Sequence, residues 1–227
     1  MSIGYNPSIV ASGLVLCLDA ANPRSYPGSG TAWTDASGNG NNGTLTNGPT
    51  YSSSNLGSIV FDGVDDNVNA GNGASLSMGT GDFSLESYFR PTGSANYRII
   101  LQKGNPGIGV NRGYRLRIEI DNTIHFVVTG DTEQVAISSA ITYNNWYQVL
   151  ATKESSGLKI YLNGALSGTG TTPAGTTTVS NNFTIGLQDG GNWPFNGNIS
   201  LIRVYNRSLT ASEVLQNFNA QRGRYGI

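Results

Sequence analysis

The stretch GYRLRIEID, residues 113–121, alternates apolar and charged side chains one for one. Side chains of an extended chain point to opposite faces with a period of two. Tyr114, Leu116, Ile118 and Ile120 therefore fall on one side, and Arg115, Arg117, Glu119 and Asp121 on the other. One face enters a core and the other meets water, the pattern of an antiparallel sheet. The same period recurs in TIHFVV (123–128), WYQVLATK (146–153), LKIYLNG (158–164), NFTIGL (182–187) and NISLIRVYN (198–206). DFSLESYF (82–89) places Phe83, Leu85 and Phe89 on one face. Asn163-Gly164 is a two-residue hairpin signal, and Asp121-Asn122 marks another tight turn. Many short strands separated by polar turns predict an all-β sandwich or barrel.

One helix is expected, and a short one. Thr210 is a good N-cap, and Glu213 three residues on completes a capping box. Leu209 and Val214 form a hydrophobic staple, with Val214, Leu215 and Phe218 turned to the sheet. The run SGTGTTPAGTTTVS (167–180) has the composition of a linker, but strands with the same patterning flank it. It reads as a long surface loop inside a single domain covering residues 1–227.

Composition narrows the function. The chain has 227 residues, enough for a full core without disulfide or metal staples. Its 31 glycines are about twice the usual share. Charged residues make up only 12%, with 13 basic and 14 acidic side chains and a formal charge of −1. No basic cluster marks a nucleic-acid footprint, and no apolar run approaches the length of a membrane span. The opening MSIGYNPSIVASG has neither a basic nor an apolar leader region, so no signal peptide is expected. Such a neutral surface of amides and hydroxyls suits hydrogen bonding to sugars or packing against another protein. Cys17, among apolar neighbours, reads as a buried small hydrophobe. His125, the one histidine, reads as a strand residue on the wetter face.

The motif GNGNNG (38–43) has the G-x-G-x-x-G spacing of a dinucleotide-binding turn. That turn needs a buried strand before it and a helix after it. TAWTDAS precedes it, and Gly48-Pro49 interrupts any helix that would follow. The glycines are turn punctuation.

Six segments in order carry a resemblance. They are GLVLCLDAANPRSY (13–26), WTDASGNGNNGTLTNGPTY (33–51), SIVFDGVDDNV (58–68), DFSLESYFRP (82–91), WYQVLATKESSGLKIYLNGAL (146–166) and FNGNISLIRVYNRSLTASEV (195–214). Together they resemble laminin-G-like, concanavalin-A-like jelly-roll domains over about residues 13–218. The LDAANPRSYPGSG opening and the RSLTASEV ending resemble the variant found in tailed-phage (cyanophage-like) virion proteins. The resemblance implies a two-sheet antiparallel jelly-roll sandwich with one short C-terminal helix. It implies binding more often than catalysis, commonly of glycans, and commonly one calcium ion at the rim.

Residues can be set against those implications. Asp62, Asp65 and Asp66 offer carboxylates for calcium, which takes six to eight oxygens. Alternatively, Asp62 caps the turn at Gly63 and the other two are solvated. Asp35, with Asn39 and Asn41, is a second candidate, or else bonds the amides of its own loop. Jelly-roll glycosidases carry E-x-D-x-E or E-x-D-x-x-E on one strand. Glu119 and Asp121 supply the first two places, but Thr123 or Ile124 stands in the third, so the pattern is broken and no catalytic residue is assigned. For a sugar, QDGGNWPFNGN (188–198) offers Trp193 as a stacking platform with Asn192, Asp189 and Phe195 beside it. Alternatively, and in preference, Trp193 and Phe195 close the edge of the sandwich. Tyr97 and Tyr143 have similar standing, and Trp146 is assigned to the core.

The reading is a non-enzymatic virion structural protein, a decoration, rim or fibre-tip domain on a phage surface after synthesis in the host cytoplasm. Its expected partners are other virion proteins, cell-surface glycans and further copies of itself, with MSIGYNPSIV and NAQRGRYGI as attachment segments. The alternative is a stand-alone calcium-dependent carbohydrate-binding module, with glycoside hydrolase a remote third.

Overall fold

The computed structural model describes residues 8–105 and 112–227. Most of the expected N-terminal attachment segment, residues 1–7, therefore lies outside the described residues. In chain order the strands are β1 (Leu14–Asp19), β2 (Ala32–Trp33), β3 (Gly43–Thr46), β4 (Thr50–Ser52), β5 (Ser58–Asp62), β6 (Asn67–Asn69), β7 (Phe83–Pro91) and β8 (Arg98–Gly104). There follow β9 (Gly113–Ile118), β10 (Ile124–Thr129), β11 (Glu133–Ile137), β12 (Tyr147–Glu154), β13 (Gly157–Leu162), β14 (Ala165–Gly170), β15 (Phe183–Ile185) and β16 (Asn196–Tyr205). The helix α1 (Ala211–Tyr225) closes the chain.

The strands form two eight-stranded sheets. The first runs β14-β13-β12-β7-β16-β5-β4, with β1 pairing the far half of β16. The second runs β11-β10-β9-β8-β15-β6-β3-β2. The pairings are antiparallel, and the inner faces of both sheets meet in one core. The architecture is the all-β, two-sheet jelly-roll sandwich with a C-terminal helix that the sequence predicts.

Alternation explains which side chains enter the core. Tyr114, Leu116 and Ile118 of β9 join Phe83, Leu85 and Phe89 of β7 there. Ile120 does not. β9 ends at Ile118, the chain turns at Ile120, and its side chain is 58% exposed. The expected extended run, which ends at Asp121, is therefore three residues too long at that end. The run 167–180 is likewise only partly loop, because its first residues complete β14.

The outer face of the first sheet is covered by α1. Thr210 accepts the Glu213 backbone N–H while the Glu213 carboxylate accepts that of Thr210, so the capping box forms. Val214 and Phe218 are buried as expected, but Leu215 is exposed and Asn217 turns inward in its place. There Asn217 meets a buried network. Glu86 accepts from Gln148, Asn217 and the Arg203 guanidinium, at 2.7, 3.0 and 3.2 Å.

The helix is also longer than the sequence reading, because the segment after Phe218 folds back. Tyr225 stacks on Tyr88 at 4.6 Å between ring centroids, and Arg224 pairs with Asp19 at 2.8 Å. The expected C-terminal attachment segment, Asn219–Ile227, is thus largely helix packed on its own domain. Trp146, assigned to the core, instead lies half-buried beside Tyr225, outside the inter-sheet cluster.

With α1 on one side, the outer face of the second sheet has no helical cover among the described residues.

Candidate functional site

Sequence order and fold meet in the loop between β5 and β6. Gly63 takes a left-handed backbone (φ +81°), and a side chain there would collide with Asn196. Asp62 Oδ1 accepts the Val64 N–H at 2.8 Å, capping the turn. Asp66 Oδ2 accepts the Asp62 N–H at 2.9 Å. The loop so closed brings one carboxylate oxygen from each of Asp62, Asp65 and Asp66 within 4.8 Å of one another. Burial raises the Asp66 pKa, the Asp62 N–H opposes it, and the charges of Asp62 and Asp65 push it up further. Three clustered carboxylates with open oxygens are a hard, oxygen-only donor set, and they could coordinate a divalent cation.

The other acidic candidates resolve differently. Asp35 is buried and accepts the backbone N–H groups of Cys17, Ser37 and Asn41 at 2.9, 2.9 and 3.0 Å. Asn41 donates to the Val15 carbonyl and Ser75, so it too organises the loop. Asn39 stays at the surface beside Ser37. Asp121 caps its own turn, accepting from Thr123 N and Oγ1 at 3.0 and 2.7 Å, which lowers its pKa. Glu119 forms an ion pair with Arg117 and lies 3.3 Å from His125 Nδ1. Burial lowers the His125 pKa, opposed by Glu119 and aided by Arg117. The two carboxylates do not act as a pair across a cleft. Cys17 is buried beside Arg203, and burial raises its thiol pKa.

The open face of the second sheet carries a cleft of about 210 Å³. It is lined by Asn67 and Asn69 of β6, Thr184 of β15, and Asn182, Leu187, Gln188, Asp189 and two glycines from the loops beside them. Alternation puts the three strand residues there: Val68, Phe183 and Ile185 face the core, so their neighbours face outward. The cleft adjoins the acidic loop in two ways. Asn67 follows Asp66 directly and donates from Nδ2 to the Asp65 carbonyl at 3.2 Å. Gly186, at the base of the cleft loop, packs where a side chain would strike Phe61 and the Asp66 carbonyl.

The expected aromatic loop divides. Asp189 lines the cleft and accepts from Asn181 at 2.6 Å, while Asn192 is exposed at its tip. Phe195 does not reach the surface: it is wholly buried against Phe61 and Phe89, because the chain re-enters the sandwich there to begin β16. Trp193 is half-buried with φ +54°, a costly conformation of order 1–3 kcal/mol for so large a residue. Its ring stacks with Tyr97 at 5.3 Å and lies 4.9 and 5.1 Å from the guanidinium carbons of Arg115 and Arg117. Tyr143 lies apart, beneath Arg98. Arg115 therefore departs from the solvated face expected of it: it is buried, and burial with Arg117 beside it lowers its pKa to about 10. Asn67, Asn69, Asn182, Thr184 and Gln188 were missed in the sequence. The signal available was the N-V-N alternation of residues 67–69, which puts two amides on the outer face.

A jelly-roll sandwich with a polar cleft on its open sheet and an acidic loop at its rim defines a lectin-type domain architecture. The Laminin_G_3 family model, described as the concanavalin A-like lectin/glucanases superfamily, matches residues 62–215, and the chain belongs to that family. A search of curated proteins gives no match. Among solved structures, the chain is similar to the binding domain of Paraclostridial Mosquitocidal Protein 1, with TM-score 0.73 and 15% identity, over 92% of this chain and 52% of that one. It is also similar to a Trypanosoma rangeli sialidase solved with 2,3-difluoro-KDN, with TM-score 0.69 and 17% identity, over 93% of this chain and 33% of that one. A third is domain 4 of AbnA, an extracellular GH43 arabinanase from Geobacillus stearothermophilus, solved with arabinotriose. Its TM-score is 0.63 and its identity 18%, over 91% of this chain and 98% of that domain. The chain thus spans about half or less of the first two. These likenesses establish the fold. The narrower likeness to phage virion proteins gains no support from them.

Proposed function

We propose that this chain is a non-catalytic carbohydrate-binding module whose binding depends on calcium. The observation that carries the reading is the amide-lined cleft on the open sheet, built from Asn67, Asn69, Asn182, Thr184 and Gln188. Amide and hydroxyl groups donate and accept together, as sugar hydroxyls do. Asp189 is the one carboxylate lining the cleft among the described residues. Glycoside hydrolysis ordinarily uses two carboxylates across the scissile bond. The solved complex of the arabinanase domain with arabinotriose adds a fold-level analogy.

Calcium enters through Asp62, Asp65 and Asp66. An ion held there would fix the loop that leads into Asn67 and buttresses Gly186, and so the floor of the cleft. The test is a glycan-array screen of the purified domain with calcium and again with chelator. Binding that disappears on chelation, and in an Asn182→Ala variant with an unchanged circular dichroism spectrum, is the expected result. No binding by a folded, calcium-saturated domain would overturn the reading.

A further inference from the structure

The amide cleft is one end of a longer row. Across the open face, Thr44, Asn69, Thr184, Gln102, Arg115 and Val127 stand opposite one another in register on six adjacent strands. A bulge in β8 sends both Ile100 and Leu101 into the core and keeps Gln102 outward. Asn69 and Thr184 lie in the cleft, whereas Gln102 and Arg115 beyond them are covered, 0% and 1% exposed. Their polar atoms are unspent. Both amide atoms of Gln102, and Nε and Nη1 of Arg115, have no hydrogen-bond partner among the described residues. Gln188, between the two ends, is 3% exposed and leaves its Oε1 unpaired there too.

Buried donors without acceptors are costly, and a buried guanidinium most of all. Glu133 and Glu119 both favour the Arg115 charge, but neither forms an ion pair with it among the described residues, and Glu119 is engaged with Arg117 and His125. What lies over Arg115 is the Trp193 indole, a weak partner for a cation beside a carboxylate or sulfate. The Ile99 N–H donates to the Trp193 carbonyl at 2.9 Å and the loop closes on itself from the Gln188 N–H to the Asn192 carbonyl at 3.0 Å, but its tip has room to move. Gly190 and Gly191 have φ of +98° and +83° with open space where side chains would be, and Trp193 itself sits in the left-handed region.

We propose that the ligand is an anionic saccharide, and that the row continues from the amide cleft into a closed anion pocket roofed by Trp193. Neutral hydroxyls meet Asn67, Asn69, Thr184 and Gln188. The carboxylate or sulfate of the next sugar pairs with Arg115 and Gln102 once the loop Leu187–Trp193 lifts. This deepens the carbohydrate reading and rests on it.

The experiment is calorimetric titration of the calcium-loaded domain with oligogalacturonate, with a sulfated galacto-oligosaccharide, and with the neutral oligomer of the same length. At least one anionic oligomer is expected to bind tenfold or more tighter than the neutral one, and which one names the group. Arg115→Met should remove that preference, so that anionic and neutral oligomers bind the variant equally. Where Arg115→Met does not fold, the Arg115 Nε–H resonance of the unaltered protein gives the same answer: it should shift with the anionic oligomer and stay still with the neutral one. Equal affinities with a silent Arg115 resonance would overturn the anion pocket while the carbohydrate reading stands. No binding of any saccharide would overturn both.

Discussion

Asp66 reaches back across its own loop to accept the backbone N–H of Asp62 at 2.9 Å. The bond closes three carboxylates into one cluster and raises the question of what balances their charge. Calcium should stabilise the fold: at a free concentration 100-fold above its Kd, a single site adds about 2.7 kcal/mol. A thermal scan with calcium and with chelator checks this. Asp65→Asn should abolish the shift with little effect on the metal-free melting temperature, since the Asp65 carboxylate is exposed. An equal calcium shift in that variant would remove Asp65 from the site.

The cleft should lose affinity in small steps. Each neutral hydrogen bond to a ligand contributes about 0.5–1.5 kcal/mol, so Asn182→Ala should weaken binding a few-fold. Trp193→Ala uncovers Arg115, so it should weaken binding of a neutral saccharide no more than that. Complete loss of neutral binding with the fold intact would instead make Trp193 a stacking platform for the sugar. Titrations of the two variants side by side separate the cases.

Glu86 and Arg203 form a fully buried ion pair under the helix. Burial opposes the Arg203 charge, but Glu86, together with Tyr205, Cys17 and Asp19, outweighs it and holds its pKa above the usual value. Removing one partner strands the other, at a cost of about 3–5 kcal/mol. Arg203→Met should therefore be strongly destabilising in urea. The double variant Arg203→Met with Glu86→Gln should recover much of the loss, and failure to recover would mean that Arg203 acts through packing.

Glu213 gives the helix an acid-sensitive root. Its hydrogen bonds to the Arg207 guanidinium hold its pKa down to about 2, from an ordinary 4.5. A carboxylate whose folded pKa is depressed contributes stability in full above its unfolded value, and loses it as pH falls through the folded one. The contribution of Glu213 should thus decline between about pH 4.5 and pH 2. Glu213→Gln should flatten that part of the pH–stability profile and leave the slope above pH 5 unchanged. An unaltered profile would show the pair to be inert.

Local chemistry made some of this legible in the sequence. The capping box at Thr210 and the three aspartates are set by residues a few positions apart; the box formed as read, and the three carboxylates lie together in one loop. The two-residue alternation located β9 and its core face but missed where it ends, because Asp121 and Thr123 bend the chain beyond Ile118. Contacts between distant segments were not legible. Arg115 looked solvated because its roof, Trp193, arrives from a loop after β15. The last turns of α1 looked like a polar tail because what binds them is Tyr88 on β7. The cleft escaped notice because β6 and β15 become neighbours only through the sheet order.

The helix has one more consequence. Gln216 donates to the Ser8 carbonyl and Asn217 Oδ1 accepts the Val10 N–H, so the first described residues run against α1, the element that carries the last residues of the sequence. The first described residues and the end of α1 therefore lie on the side of the sandwich opposite the row from Thr44 to Val127. A tag joined after Ile227 would orient every molecule alike on a sensor chip, with the proposed saccharide face turned to the flowing solution.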